Sequence, residues 1–195
     1  LIGTNDIIQN NDLANANSRL ENLIRTIYQN NESKVSKSTP MFVASIPDFN
    51  YTASWSQMPG WGEWTSSSKH GFTGTKQEIE DQINAKVKAY NDGIPDVINA
   101  LKDDGYNVYF VDVNSVVNKN TDLYDGCHPN VSGSTNIANA FAKAINDYYT
   151  PSGELVGTIT LNKDNNWMAS YDIVGGSASD EYYVVETEVP TGWTK

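Results

Sequence analysis

The sequence predicts an α/β fold in which a parallel sheet lies between two layers of helices. Two short apolar runs, residues 41–46 and 107–113, are typical of strands that are covered on both faces. A long segment with helical periodicity separates them. Strands that alternate with helices form parallel sheets with right-handed crossovers, which gives a three-layer α/β/α arrangement. Leu1 to Gly3 resembles the end of a further strand that runs into a turn at Gly3-Thr4-Asn5-Asp6, so we expect the sheet to be incomplete at its N-terminal side. Gly3 is expected to meet a backbone requirement of this turn rather than to take part in chemistry.

The first two helices have recognisable starts. Asp12 is a candidate N-cap for a helix whose apolar face comprises Leu13, Leu20, Leu23, Ile24 and Ile27. The second helix should begin near Thr75, with Glu78 at capping-box distance, and end at Gly105. Pro95 is expected to kink or divide it. Its apolar stripe comprises Ile79, Ile83, Val87, Tyr90, Ile94, Val97, Ile98 and Leu101.

A third helix and a change of pattern close the first domain. Ser132 or Ser134 is the expected N-cap of a helix that bears Ile137, Phe141 and Ile145 and ends near Tyr148. After residue 150 the pattern becomes that of strands, over residues 155–161, 167–174 and 182–189, with a turn cluster at 162–166. We therefore predict one domain over residues 1–149 and a partial β-sandwich over residues 150–195.

Composition narrows the classes of function. The chain has 195 residues, 38% of them hydrophobic, which is enough for a core, and a net charge of −11. That charge disfavours nucleic acid and anionic membranes as partners. No apolar run approaches the roughly 20 residues of a membrane helix. A single cysteine excludes an internal disulfide framework.

The candidate chemistry lies in Tyr124-Asp125-Gly126-Cys127-His128-Pro129-Asn130. Across a tight turn, the carboxylate of Asp125 can hold the Nδ1 proton of His128, which leaves Nε2 free to accept a proton from a nucleophile. A solvated turn is the alternative interpretation of an isolated Asp-x-x-His. Cys127 is expected to be a small packing residue, because its side chain should point away from the neighbouring ring. A zinc site with Asp125, Cys127 and His128 fits none of the standard ligand spacings.

Three features should meet at one edge of the sheet. Asn5, the long loop of residues 48–75 and the Asp125–His128 turn each follow a strand, and parallel sheets bind ligands beyond the carboxyl ends of their strands. Aromatic residues in the loop are either a wall on which sugars stack or packing that holds the loop to the domain: Tyr51, Trp55, Trp61 and Trp64. His70 is expected to be an ordinary loop histidine.

Gly3-Thr4-Asn5-Asp6 and the Asp125–Asn130 segment together resemble the third and fifth sequence blocks of the SGNH hydrolases, the GDSL-type esterases, over about residues 1–148. The closest similarity is to bacterial acetyl esterases that act on plant polysaccharides. The resemblance implies a flavodoxin-like fold and a serine esterase without metal or organic cofactor. In it, His128 is the general base and acid, Asp125 orients His128, and Asn5 donates to the oxyanion.

One departure from that family matters. Its nucleophilic serine belongs to a Gly-Asp-Ser block, and neither that triplet nor Gly-x-Ser-x-Gly occurs in the 195 residues. We therefore expect a fragment of a secreted ester hydrolase that is inactive by itself. Its substrate would be an acylated carbohydrate such as acetylated xylan. The alternative is a non-catalytic, glycan-binding or adhesin module on the cell surface.

The C-terminal segment carries a second resemblance. Residues 160–167 and 182–193 are similar to the later half of a collagen-adhesin B-type repeat, a β-sandwich that forms stalks on Gram-positive surface proteins. The resemblance implies that Glu186 promotes an isopeptide bond. The strands that would hold the bonded Lys and Asn are not expected in this segment. An extracellular or cell-surface location follows from this resemblance.

Overall fold

A computed structural model describes residues 3–30, 35–52, 70–149, 156–170 and 184, and the chain divides into two compact units, residues 1–144 and 145–195. In chain order the elements are α1 (Thr4–Gln9), α2 (Ala16–Gln29), β1 (Met41–Ala44), α3 (Lys76–Asp103), β2 (Val108–Val111) and α4 (Val131–Tyr149). Short 3-10 turns cover Leu13–Asn15, Asn114–Val116 and Lys163–Asn165. The alternation of strands and helices is therefore as predicted in the described residues.

The two strands pair in parallel, with Met41 opposite Val108 and Ala44 opposite Val111. Side chains alternate between the faces of a sheet, and here each face meets a different cluster of the core. Met41 and Val43 pack with residues of α1, α2 and α3, whereas Phe42 and Ala44 pack with residues of α4. Helices thus cover both faces, which confirms the layered α/β arrangement in this part of the chain.

The beginning of the chain differs from its prediction. Gly3-Thr4-Asn5-Asp6 was expected to be a turn, but α1 begins at Thr4 and buries Ile7 and Ile8. Asp12 makes no capping hydrogen bond. It adopts a left-handed conformation, and its carboxylate instead contacts the side chains of Asn15 and Arg19 at about 3 Å. Helix α2 therefore begins after the 3-10 turn, at Ala16.

Helix α2 buries every fourth residue, Ala16, Leu20, Ile24 and Tyr28. Its predicted face was partly wrong, because Leu23 is exposed. Residues four apart lie on one side of a helix, and the buried row continues through Tyr28. The Tyr28 hydroxyl donates to backbone carbonyls of Thr39 and Asn107, and this polar end made Tyr28 hard to recognise as a core residue.

Helix α3 is the longest element and closely follows its prediction. Thr75 and Glu78 form the expected capping box, and all eight residues of the predicted stripe are buried. The helix continues without interruption through Pro95, so the prediction that proline divides it was wrong. Gly105, with φ at 81°, turns the chain into β2 as expected.

Two asparagines of α3 hold the segment that follows β1. The side-chain amide of Asn91 donates to the carbonyl of Ile46 (2.8 Å) and accepts from its N–H (3.0 Å). Asn84 makes the same pair of bonds with Phe49, at 2.9 and 2.8 Å. These amides replace the backbone partners that a continuing strand would have supplied, so residues 45–52 can leave the sheet without losing their hydrogen bonds.

The start of α4 corrects the predicted cap. The side-chain oxygen of Asn130 accepts from the N–H of Gly133 at 3.0 Å, which is the geometry of an N-cap, so neither Ser132 nor Ser134 has that role. Gly133 lies directly against the preceding loop. A Cβ built at this position would approach the Asp122 carbonyl oxygen to 2.2 Å, which only glycine avoids.

In the second unit, residues 156–170 contain the turn Lys163–Asn165, where Asn162 and Asn165 form a reciprocal capping box. The predicted turn cluster is confirmed. No strand occurs within these described residues, so the strand predicted over 155–161 is not found there. An alternating pattern becomes a strand only when a neighbour accepts its hydrogen bonds. Glu186 lies outside the described residues.

In the part of the chain that the structure describes, no helix is both long enough and apolar enough to cross a membrane.

Replacing Asn91 by alanine should destabilise the first unit. The variant leaves the N–H of buried Ile46 without its acceptor, so we expect the free energy of unfolding to fall by about 2 kcal/mol. Urea denaturation followed by circular dichroism measures this. Asn99→Ala is the matched control on the exposed side of the same helix, and it should change stability by at most a few tenths of a kcal/mol. Equal effects of the two variants would contradict this account of α3.

Candidate active site

The Asp125–His128 turn is closed by backbone contacts at its base. Leu123 and Pro129 form an antiparallel bridge, and the N–H of Tyr124 donates to the carbonyl of His128 at 2.7 Å. Gly126 has a φ of 84°, a left-handed conformation that glycine adopts without strain. The turn therefore presents residues 125–128 at the end of a short, defined hairpin-like structure.

Asp125 and His128 contact each other as the sequence predicts. One carboxylate oxygen, Oδ2, lies 2.7 Å from Nδ1 of the imidazole, while Oδ1 accepts from the backbone N–H groups of Cys127 (2.9 Å) and His128 (2.7 Å). Asp125 is buried, whereas the His128 side chain is 71% exposed. Because the carboxylate occupies Nδ1, the exposed part of the ring is the edge that carries Nε2.

Asp125 stays ionised in spite of its burial. Loss of hydration by itself raises the pKa of a carboxyl group, but hydrogen bonds from the backbone and side chain of His128, and from the backbone of Cys127, lower the pKa of Asp125 below its usual value. A carboxylate that accepts from Nδ1 keeps the proton there and leaves Nε2 as the acceptor. This arrangement can take a proton from a hydroxyl nucleophile and return it to a leaving group.

Cys127 is not equipped to act as a nucleophile. It is half-buried and packs against the core, and burial, together with the negative charge of Asp125, raises the pKa of its thiol to about 12. Since the thiolate is the reactive form, the group is inert at neutral pH. Within the described residues, no group of three histidine, cysteine or acidic side chains is placed to hold a metal ion.

The turn is attached to the segment that follows β1. The N–H of Asn50 donates to the carbonyl of Gly126 at 2.9 Å, and the side-chain amide of Asn50 donates to Asn120 Oδ1 at 3.1 Å. The Thr52 hydroxyl lies 3.0 Å from Asn50 Oδ1. Both strands thus lead into loops that bond to each other, and the Asp125–His128 turn lies where they meet.

A buried ion pair fixes these two loops to α3. Glu80 is nearly inaccessible; its Oε1 pairs with Nζ of Lys119, and its Oε2 accepts from the backbone N–H of Thr52 at 2.9 Å. Burial tends to raise the pKa of Glu80, but the bonds from Lys119 and Thr52 outweigh this effect, so the pKa lies below its usual value. The ionised carboxylate therefore connects Thr52, after β1, with Lys119, after β2.

Sequence reasoning missed Glu80, Lys119 and Asn50. A signal for Glu80 was present, because it lies three residues before Ile83 and seven before Val87, on the apolar face of α3. A carboxylate on such a face requires a buried partner. Nothing in the local sequence identifies Lys119 as that partner, since the two residues are 39 positions apart and meet only through the fold.

Other predicted site residues have mixed outcomes. Asn5 is exposed in the first turn of α1, and its role as an oxyanion donor stays a prediction. Gly3, expected to be a backbone requirement, has a φ of 106°, and a Cβ there would lie 2.8 Å from the ring of Tyr90. Its glycine is therefore required by both conformation and space.

The aromatic loop gives one correction. Tyr51 is fully buried in the core, so its ring is not available for a sugar and the packing interpretation applies to it. Trp55, Trp61 and Trp64 lie outside the described residues. His70 is nearly buried, with Nδ1 at 3.2 Å from the carbonyl of Gln9, and its own carbonyl accepts from the side chain of Asn10. His70 therefore connects the end of α1 with the segment that precedes α3, which is a packing role for a loop histidine.

Comparison with known proteins supports an ester hydrolase. The sequence profile described as "GDSL-like Lipase/Acylhydrolase" matches residues 1–141. A protein from Ruminococcus flavefaciens named "Multidomain esterase" is 27% identical over 151 residues, which is 77% of this chain. The chain spans only 16% of the length of that relative. No solved structure matches the chain significantly.

Replacing Lys119 by methionine should leave Glu80 buried without its cation. We expect the free energy of unfolding at pH 7 to fall by about 3 kcal/mol, near the lower end for a broken buried pair because Lys119 is 29% exposed. The folded-state pKa of Glu80 is lowered, so the pair stabilises the fold above the unfolded pKa of about 4.3, and this contribution is lost as the pH falls further. The difference between variant and wild type should therefore shrink as the pH falls below about 4.

Urea denaturation between about pH 3 and about pH 7, a range that spans the ordinary glutamate pKa of about 4.3, measures this dependence. Lys88→Met is the matched control, because Lys88 pairs with Asp92 on the exposed side of the same helix that carries Glu80. Its effect should stay below about 0.5 kcal/mol at every pH. A Lys119→Met effect that is equally small, or independent of pH, would show that Glu80 does not depend on this partner.

Replacing Asp125 by asparagine should change which nitrogen of His128 carries the proton. The amide oxygen would take the place of Oδ1, where two backbone N–H groups need an acceptor, and the NH2 group would then face Nδ1. A donor in that position makes Nδ1 an acceptor and moves the proton of the neutral ring to Nε2. Nitrogen-15 NMR of the imidazoles measures the tautomer directly.

His70 provides the internal control for this experiment, and its signals should be the same in wild type and Asp125→Asn. A wild-type ring that already carries its proton on Nε2 would disprove the orientation by Asp125, as would an unchanged tautomer in the variant.

Proposed function

The chain belongs to the GDSL-like lipase/acylhydrolase family, and on that premise we propose that it provides the base, the acid and an oxyanion donor of a secreted serine esterase. His128 is the proton carrier, Asp125 orients it, and Asn5 donates to the oxyanion. The substrate is an acylated carbohydrate or another small ester, such as acetylated xylan. No metal or organic cofactor takes part.

The observation that carries the proposal is the Asp125–His128 pair. Its 2.7 Å contact, the buried carboxylate and the exposed Nε2 edge are what a hydroxyl nucleophile requires of its base. The burial of Asp125 also favours this role over a solvated turn, in which the carboxylate would be exposed.

The chemistry follows in two steps. A serine hydroxyl adds to the ester carbonyl carbon while its proton passes to His128 Nε2, and the side-chain amide of Asn5 hydrogen-bonds to the carbonyl oxygen as it becomes negative. The intermediate collapses, and the alcohol leaves with the proton from His128. Water then adds to the acyl-enzyme by the same route, and the carboxylic acid is released with the serine restored.

The sequence contains no Gly-Asp-Ser block, and in this family that block carries the nucleophilic serine. We therefore propose that the serine lies outside the 195 residues and that the chain alone has negligible turnover. We also propose that the protein is extracellular, because residues 160–193 resemble a stalk of surface proteins. If no serine accompanies the pair, the second candidate is a glycan-binding surface module, and the missing block is the observation that favours it.

Hydrolysis of 4-nitrophenyl acetate tests the proposal. The 195-residue chain should show no turnover above background, whereas a version extended at its N terminus by an upstream segment that carries the family's Gly-Asp-Ser block should be active. In the extended version, His128→Ala should lower kcat/KM by at least about 10³-fold, because it removes the general base. Asn5→Ala should lower kcat by about 10²-fold, with little change in KM.

His70→Gln serves as the control, since the structure places His70 in a packing role, and it should retain activity in the extended protein. Turnover by the short chain that depends on His128 would disprove the missing-nucleophile proposal. An inactive extended protein, shown to be folded and tested on several acyl groups, would favour the binding module.

A further inference from the structure

An exposed apolar shelf lies directly beside the Asp125–His128 turn. Tyr124, directly before the turn, is 75% exposed, and Val131, the first residue of α4, is 86% exposed. By contrast, four tyrosines of the first unit are buried: Tyr28, Tyr51, Tyr90 and Tyr106. Both side chains are therefore available to contact a bound molecule.

The backbone places Tyr124 opposite the proposed base. Its N–H donates to the carbonyl of His128, next to the bridge between Leu123 and Pro129. This backbone bond holds Tyr124 next to the residue that carries the imidazole.

The shelf is one wall of an open depression. Tyr124 and Pro129 line one side, and the first two turns of α4 line the other with Val131, Ser134, Thr135 and Ala138. Its volume is about 680 Å³, within the roughly 300–1,000 Å³ of small-molecule sites. It is wide and shallow, so it suits a ring laid on a surface better than an acyl chain that must be enclosed.

The chemistry of the lining selects the ligand. None of the described residues that line the depression is charged, which disfavours phosphate, carboxylate and ammonium groups. An aromatic ring and valine methyl groups offer an apolar floor, while the exposed Ser134 hydroxyl lies at the rim. A neutral ligand with an apolar face and hydroxyl groups at its edge matches this surface, and a pyranose ring is such a ligand.

We infer that the Tyr124–Val131 shelf binds a sugar ring of the substrate, so that the ester carried by the same glycan lies at Nε2 of His128. This inference rests on the proposed function and extends it, because it assigns the alcohol portion of the ester to a carbohydrate and places it at named residues. The Tyr124 ring supplies the stacking face and Val131 continues it.

Binding of xylotetraose to the 195-residue chain, measured by calorimetry and by NMR shifts, tests the inference without any need for turnover. Tyr124→Ala should weaken binding about tenfold, the loss expected for one aromatic contact, whereas Tyr124→Phe should bind like wild type because the ring is kept. Tyr149→Ala is the matched control, since Tyr149 is also an exposed tyrosine but does not line the depression. It should leave the affinity unchanged.

The variants should fold, because the Tyr124 side chain is exposed and its backbone bond to His128 is retained. Equal affinity of wild type and Tyr124→Ala would overturn the inference, as would an absence of wild-type binding at millimolar sugar. These failures are distinct from failure of the proposed function. If the extended protein hydrolyses 4-nitrophenyl acetate but Tyr124 does not affect sugar binding, the esterase stands and only the shelf is wrong.

Discussion

The buried carboxylate of Glu80 is the constraint on which the candidate site depends. A charge can remain inside the protein only if its partners replace the water it has lost. Those partners are the ammonium group of Lys119 and the backbone and hydroxyl of Thr52, each from a loop that follows a different strand. The requirement to satisfy one charge therefore brings the two loops to the same helix. Through Asn50 and Asn120, that arrangement reaches the Asp125–His128 turn.

Two buried carboxylates of this region, Glu80 and Asp125, are kept ionised by different means. Glu80 depends on a full positive charge, whereas Asp125 depends mainly on hydrogen bonds from its own turn. The difference suits their positions. A permanent cation beside Asp125 would compete with the imidazole for the carboxylate, but backbone N–H groups leave Oδ2 available to His128. The carboxylate of Asp125 can thus stabilise the positive charge that develops on the His128 ring during catalysis.

Much of the fold was predictable because its signals are local. The capping box at Thr75 and Glu78, the apolar stripe of α3 and the two parallel strands all follow from periodicity and turn chemistry within short windows. The Asp125–His128 contact was predictable for the same reason, since three residues separate the pair. Helix α1 was missed because Gly-x-Asn-Asp favours turns locally, and burial of Ile7 and Ile8 decides otherwise.

The errors arise where distant residues decide the outcome. Tyr51 looked like a binding residue because its loop is rich in aromatics, yet it fills the core. Lys119 and Asn50 gave no local signal, since their partners come from another helix and another loop. The cap of α4 is a different case, because Asn130 lies in the same short window as Ser132 and Ser134 and takes the position that either could have filled. For Tyr51, Lys119 and Asn50, by contrast, the residues were visible in the sequence and their contacts were not.

Gly133 has a consequence for how this site can be altered. Its missing side chain lets α4 lie directly against the carbonyl of Asp122, which fixes the position of the helix start relative to the loop that leads to His128. The side chains at positions 131, 134 and 135 are exposed, so they can be changed without disturbing the core. In protein engineering, the surface beside His128 can therefore be varied at these three positions, whereas position 133 must remain glycine.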